Sequence, residues 1–489
     1  MLRDGAPPLR GCPGEVGNGV VVLLLLNNGW VPRISIAWVT RRPVPHPTET
    51  TVPETPGSTA AIPSHEPPAR GGQPGGEPAA HMVDRRFETN WAISLFGTAV
   101  GAGVLFLPIN AGLGGLWPLL VVTVLIGPMT YLSHRALSRF VCASPVPSED
   151  ITGVARRAFG EGLGRVVTVV YFLAIYPIVL IYGVGITNTV DSLLVNQFHL
   201  ASPPRWLLSG LLVGLLMLVM FTGQRIMLMV TQWLVYPLIL ILLGVTLFLI
   251  PSWDLSVFRG VPAPGEFVMS VWLVIPVLVF AFNHSPAISQ FSVAMKHEYG
   301  SRASERASVV LKRSTLLLVV FTMGFVWSCV LALGPHGLQA AKDQNLPVLS
   351  YLANEHGSPF IAYLGPAVAL AAIASSFFGH YMGAAEGATG IVRSMVDRDG
   401  TKISNKALRT AVAVFIFVTT WFVAIANPSI LSLIESLAGP VIAVILYLMP
   451  MYAIRRLPGL EPYRGKISNV FVTVAGIVAV SGIVYGLLP

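Results

Sequence analysis

The chain has 489 residues, of which 54% are hydrophobic and only 11% charged, and its mean hydropathy is +0.70. Soluble domains carry about 25% charged residues, so this composition excludes a soluble globular protein and implies an integral membrane protein. The formal charge of +8 suits either a nucleic-acid partner or basic loops on one side of a bilayer, and its placement along the chain decides between them.

Residues 1–81 differ from all that follows: they are rich in Pro, Gly, Thr and Ser. Their single apolar run, Val20 to Leu26, is far shorter than the about 20 residues a membrane helix needs. This segment is expected to be a disordered tail, or an upstream extension of a frame that starts near Met82, and it carries no function. From Arg85 onward the apolar stretches divide at charged, Pro-rich or Gly-rich connections into eleven expected helices, near 90–109, 113–139, 165–194, 206–222, 227–250, 267–292, 313–334, 360–385, 408–426, 429–452 and 468–487. Alternate connections hold 22 Lys and Arg on one side and three on the other, namely Arg205, Arg259 and Lys342. That asymmetry places the start of the first helix in the cytoplasm and the C-terminus outside, in the cell (inner) membrane. The basic residues are topological, and no nucleic-acid partner is implied. Cys12, Cys142 and Cys329 share no metal-ligand spacing, and an odd, scattered set gives no disulfide framework.

Two of the expected helices are interrupted. The first contains Gly97-Thr98-Ala99-Val100-Gly101-Ala102-Gly103 and ends at Pro108, and the sixth contains Phe282-Asn283-His284-Ser285-Pro286. Unwound backbone is tolerated at membrane depth only where it is buried in protein or lines a polar cavity, so two breaks point to one internal site, as in secondary transporters. They lie five spans apart, and an odd offset makes the second unit enter from the opposite side. The expected fold is therefore all-α: a LeuT-like five-plus-five inverted repeat (about 88–250 and 265–452) with one extra helix, about 468–487.

The glycines of the first break free backbone amides beside a half-helix N-terminus, which suits a substrate carboxylate. Gly97 and Gly101 equally fit a Gly-x-x-x-Gly surface for close helix packing. No strand precedes the cluster, so a nucleotide-binding loop is unsupported. In the second break Pro286 interrupts the helical ladder, while Asn283, His284 and Ser285 place polar groups at mid-membrane depth. His284 is a candidate for proton exchange, or a neutral side chain that satisfies the broken backbone. In the eighth helix Ser376, His380 and Gly383 share a face, and His380 is a second proton candidate. Glu386 lies nearer the cytoplasmic end, where a solvated or capping role is expected. Glu435, in the tenth helix, is a carboxylate within a span and a third proton candidate, or a helix-terminal acid with access to water.

Leu-Phe-Gly-Thr-Ala-Val-Gly-Ala-Gly-Val-Leu-Phe-Leu-Pro (95–108), Gly-Pro-Met-Thr-Tyr-Leu-Ser-His-Arg (127–135), Phe-Asn-His-Ser-Pro (282–286), Phe-Phe-Gly-His-Tyr-Met-Gly (377–383) and Asn-Pro-Ser-Ile-Leu (427–431) follow one another along the chain. From about residue 88 onward the sequence thereby resembles bacterial serine and threonine transporters of the hydroxy and aromatic amino acid permease family, in the amino acid/polyamine/organocation superfamily. The resemblance implies import of a hydroxy amino acid, L-serine above all, by proton symport. Carried over by position, Thr98, Gly101, Ala102, Gly103, Asn283, His284, Ser285 and Ser376 form the substrate site, with either Ser285 or Ser376 meeting the substrate hydroxyl. His284, His380 and Glu435 are the coupling candidates. No cofactor or metal is implied, and the partners are the amino acid and the lipid bilayer. One position departs from the family: a lysine is expected where this chain has Ser375, which opens sodium as an alternative coupling ion.

Other substrates of the family, threonine or an aromatic amino acid, are the nearest alternatives. A non-transporting amino acid sensor would keep the same binding residues. An enzyme is not implied, because neither His-x-x-x-His nor a Ser/His/Asp set falls where the breaks converge. Alternating access is expected from rocking of helices one, six, two and seven against three, four, eight and nine.

Overall fold

The computed structural model describes residues 21–26, 33–38, 84–221, 224–256, 260, 262–355, 359–396 and 402–486. The chain divides into Met1–Pro78 and Ala79–Pro489. Within the first unit, strands β1 (Val21–Leu26) and β2 (Arg33–Trp38) pair antiparallel, with Val21 opposite Trp38 and Leu26 opposite Arg33. The apolar run too short to span a membrane is thus a strand, and the β-branched Val21, Val22, Ile34 and Ile36 favour that state. Most of the segment expected to be disordered, Met82 included, lies outside the described residues.

The regular elements described in the second unit are all helices. Asp84 caps α1 (Arg85–Ala99) by accepting the N–H groups of Arg86 and Phe87 at 2.9 and 3.0 Å, the role short polar side chains take at a helix start. Then follow α2 (Ala102–Leu113), α3 (Leu116–Cys142), α4 (Ile151–Ser192), α5 (Arg205–Phe221) and α6 (Gln224–Phe248). Next come α7 (Pro264–Ala281), α8 (Ser285–Tyr299), α9 (Ala303–Leu318), α10 (Gly324–Asp343) and α11 (Val348–Glu355). The chain closes with α12 (Pro359–Met395), α13 (Asn405–Ala426), α14 (Ile430–Arg456, with two π-helical turns) and α15 (Ile467–Gly486).

Among the described residues, eight helices are long and apolar enough to cross a membrane, or nine if the bent pair of α1 and α2 counts as one span; the apolar runs Arg205–Met220 and Ile467–Gly482 are shorter. Both expected interruptions are present. The first separates α1 from α2, which meet at 57°. The second is the non-helical Phe282-Asn283-His284 between α7 and α8.

Elsewhere the helices run beyond the expected limits. The third begins at Ile151 and turns at Gly160, whose φ is +80°, a conformation that costs glycine little. Polar residues hid this first stretch, because it is amphipathic rather than apolar. The short α11 fills what was expected to be a connection. At the basic end of the molecule, fully buried Glu88 on α1 pairs with Arg306 at 2.5 Å and Arg313 at 3.2 Å, both on α9.

Candidate functional site

The first break depends on close approach. At Gly101 an added Cβ would lie 2.5 Å from the Ser376 Cβ and Oγ and 2.8 Å from the Tyr182 hydroxyl; at Gly103 it would lie 2.7 Å from the Phe280 ring and 2.8 Å from the Ala281 backbone. Any side chain at either position would push the first break away from α12 or from the end of α7. Gly97, by contrast, packs against Val235 of α6. Gly97 and Gly101 therefore face different helices and do not form the single Gly-x-x-x-Gly surface that their spacing also allowed.

A hydrogen-bonded knot holds the first break to the scaffold. Ser376 Oγ donates to the Thr98 carbonyl at 2.8 Å and lies 2.6 Å from the Tyr182 hydroxyl. His380 Nδ1–H donates to the Ser376 carbonyl at 2.8 Å, and its ring meets Tyr182 edge-on at 5.4 Å. Ser375, fully buried, bonds the Ala372 carbonyl of its own helix at 3.1 Å. One turn beyond Ser376, Gly379 faces Thr98, and Gly383 faces Pro286 across the second break. The small, polar stripe of α12 thus touches both breaks.

At the second break the Asn283 side-chain Oδ1 accepts the Ser285 N–H at 3.0 Å. His284 Nδ1–H donates to the Phe282 carbonyl at 3.1 Å, which leaves Nε2 with a bare lone pair. Asn283 Nδ2, a donor, and His284 Nε2, an acceptor, are both buried without a partner among the described residues, in residues 1% and 0% exposed. Buried polar atoms are normally satisfied, and here an unmet donor and an unmet acceptor stand on adjacent residues of the second break. At the first break, the N-cap Gly101 leaves the first turn of α2 without a side-chain cap, and such N–H groups attract carboxylates.

A further residue contacts the second break. His134 of α3 stacks on His284, with ring centroids 3.6 Å apart and planes 9° from parallel. Its Nδ1–H donates to the Thr130 carbonyl at 2.8 Å, and its Nε2 accepts the His284 backbone N–H at 3.1 Å. A carbonyl only accepts and an amide N–H only donates, so this pattern sets the His134 tautomer. Sequence reading missed His134 and Tyr182. The former had a signal, an imidazole inside an apolar span and within a quoted motif, whereas a tyrosine in a span is unremarkable.

Residues 90–481 match the tryptophan/tyrosine permease family. The chain belongs to that family. This permease is 47% identical over 409 residues to the serine transporter SdaC of Escherichia coli (strain K12), covering 82% of this chain and 95% of the relative. It is 42% identical over 429 residues to the threonine/serine transporter TdcC of Escherichia fergusonii, covering 83% and 97%. Its fold resembles that of a mutant of the Eremococcus coleocola manganese transporter, with a TM-score of 0.54 at 16% identity over 83% of this chain and 87% of the other. The permease is accordingly a multi-pass membrane protein and not an enzyme.

Of the expected site residues, Thr98, Gly101, Gly103, Asn283, His284, Ser285 and Ser376 lie on the two breaks or directly against them, and Ala102 opens α2. His380 joins through Ser376. Glu435 stands apart: it accepts from Asn110 Nδ2 at 2.5 Å, about 14 Å along α2 from the break at the usual helical rise. There it borders a cavity of about 480 Å³ with Lys342, Ser270, Ser432 and Ser436.

Proposed function

We propose that this permease imports L-serine by proton symport through alternating access. The observation that carries the reading is the pair of orphaned atoms at the second break. An amino acid zwitterion offers an ammonium to His284 Nε2 and a carboxylate to Asn283 Nδ2, and the uncapped start of α2 supplies further donors. Gly101 and Gly103 keep that space narrow, and the hydroxyls of Ser376 and Ser285 favour a small hydroxylated side chain. The two transporter relatives named above are described for serine and for threonine and serine, which supports the same choice. With the two shorter apolar helices counted as crossings, the described residues give a count of eleven, which supports this reading. The breaks then fall in the first and sixth, as an inverted five-plus-five repeat requires. The excess of basic residues on one side supports a cytoplasmic N-terminus, and location in the inner membrane belongs to the same proposal.

The proton is assigned to the His134–His284 pair. Protonation of His134 Nε2 would remove the acceptor of the His284 N–H and leave the His284 Nε2 lone pair free for the substrate. That event acts on the backbone of the broken helix, so proton binding and the state of the substrate site become linked. Sodium is the second reading, and the Thr98 carbonyl beside the Ser376 hydroxyl favours it, because two oxygens meet there at the unwound segment.

Radiolabelled L-serine uptake into proteoliposomes, under a proton gradient, a sodium gradient or neither, tests the reading. Accumulation under the proton gradient alone supports it, and accumulation only with sodium transfers coupling to the oxygens of the first break. Serine binding without flux under any gradient would make the protein a sensor.

A further inference from the structure

A second cluster of polar side chains lies away from the breaks, where the end of α14 meets the start of α15. Arg455, Arg464, Lys466, Asn469 and Thr473 border a cavity of about 260 Å³ whose remaining wall includes Met451, Ile454 and Val470. The cations there are not equivalent. Arg464 is consumed by the fold: Nε donates to the Ile454 carbonyl at 3.0 Å, Nη2 to the Leu457 carbonyl at 3.1 Å and Nη1 to Glu461 at 3.1 Å. It clamps the turn that returns the chain from α14 to α15. Arg455 and Lys466 are exposed and form no ion pair among the described residues. Two cations therefore face one small cavity without a counter-charge among the described residues.

The surface beside them is the opposite in character. Along α15, Ile467, Val470, Val474 and Ile477 are 88%, 61%, 54% and 56% exposed. Their spacing puts them on one face of the helix, as a stripe about 15 Å long. In a protein that crosses a bilayer, a basic cavity at a helix end, continuous with an exposed apolar stripe, has the two-part chemistry of a phospholipid.

We infer that an anionic phospholipid binds here, its phosphodiester between Arg455 and Lys466 and an acyl chain along Ile467, Val470, Val474 and Ile477. The occupant is a lipid rather than a soluble phosphate ester, because the charged cavity opens onto the apolar stripe.

Native mass spectrometry of the full chain, titrated with phosphatidylglycerol or phosphatidylcholine in detergent, tests the assignment. The expected result is saturable binding of one phosphatidylglycerol, with phosphatidylcholine much weaker. The Arg455→Gln/Lys466→Gln double variant should bind it about 30-fold more weakly, the scale set by two basic residues at an anionic surface. Val470→Ser/Val474→Ser should weaken binding with both cations kept. Equal affinity in the double variant, while its melting temperature matches the parent, would overturn the proposal. So would complete displacement by millimolar inorganic phosphate, because that outcome makes the cavity a simple anion site. Arg464→Gln is the folding control and should lower the melting temperature.

Discussion

His134 holds His284 twice, by a ring stack at 3.6 Å and by accepting its backbone N–H at 3.1 Å. The side chain of α3 therefore reads the conformation of the second break through both the ring and the main chain. In His134→Phe the stack is retained and the acceptor is lost, and a buried N–H left unmade costs about 1–3 kcal/mol. Serine exchange at equal pH should persist in this variant while accumulation driven by a proton gradient falls at least several-fold. Wild-type accumulation by His134→Phe would sink the histidine assignment.

Gly101→Ala should impair serine uptake strongly, because the new methyl would stand 2.5 Å from Ser376, and overpacking costs about 1–3 kcal/mol. Adding Ser376→Gly removes the nearest clash but also the bond to the Thr98 carbonyl. Serine binding in the double variant should exceed that of Gly101→Ala alone, measured by scintillation proximity. No recovery would mean that Tyr182, 2.8 Å from the same point, sets the limit.

Glu88→Gln should lower the melting temperature sharply. It leaves Arg306 and Arg313 without their fully buried carboxylate, and breaking a buried ion pair costs about 3–5 kcal/mol. Arg306 is the less exposed partner and Arg313 is about half exposed, so Arg306→Gln should destabilise more than Arg313→Gln. Equal effects would show that the outer arginine contributes as much as the inner one.

Glu149, in the connection between α3 and α4, gives stability a dependence on pH. Burial raises its carboxyl, but hydrogen bonds from Arg157 and Ser144 and the nearby charges of Arg157 and Lys296 leave it below its ordinary value. A carboxyl whose folded value is depressed contributes stability that is present above its unfolded value and disappears as pH falls through the folded one. Glu149→Gln should therefore be less stable than the parent at neutral pH, and the difference should close below about pH 4. A gap that is constant from pH 7 to pH 3 would refute the ionic origin.

How much was legible follows from the range of each signal. The two breaks stood out because glycine, proline and polar residues interrupt apolar runs, and the rule behind that signal, that backbone groups in lipid need partners, is local. The inward face of α12 was readable from helical spacing at Ser376, His380 and Gly383. Glu435 is an intramembrane carboxylate by sequence, yet it borders a separate cavity with Lys342, because depth along a helix places it away from the breaks. The helical stretch before Gly160 and the short α11 were not expected, since both are amphipathic or brief and lack the long apolar run that marks a span.

The sequence by itself determined the membrane class, the two interrupted helices and the family. Each of these depends on composition, on the period of a single helix or on residues adjacent in the chain. Only the tertiary structure decided which groups meet at the breaks: Tyr182 with Ser376 across 194 positions, and His134 with His284 across 150. Such partners are chosen by how helices cross and by which buried atoms remain unsatisfied after packing.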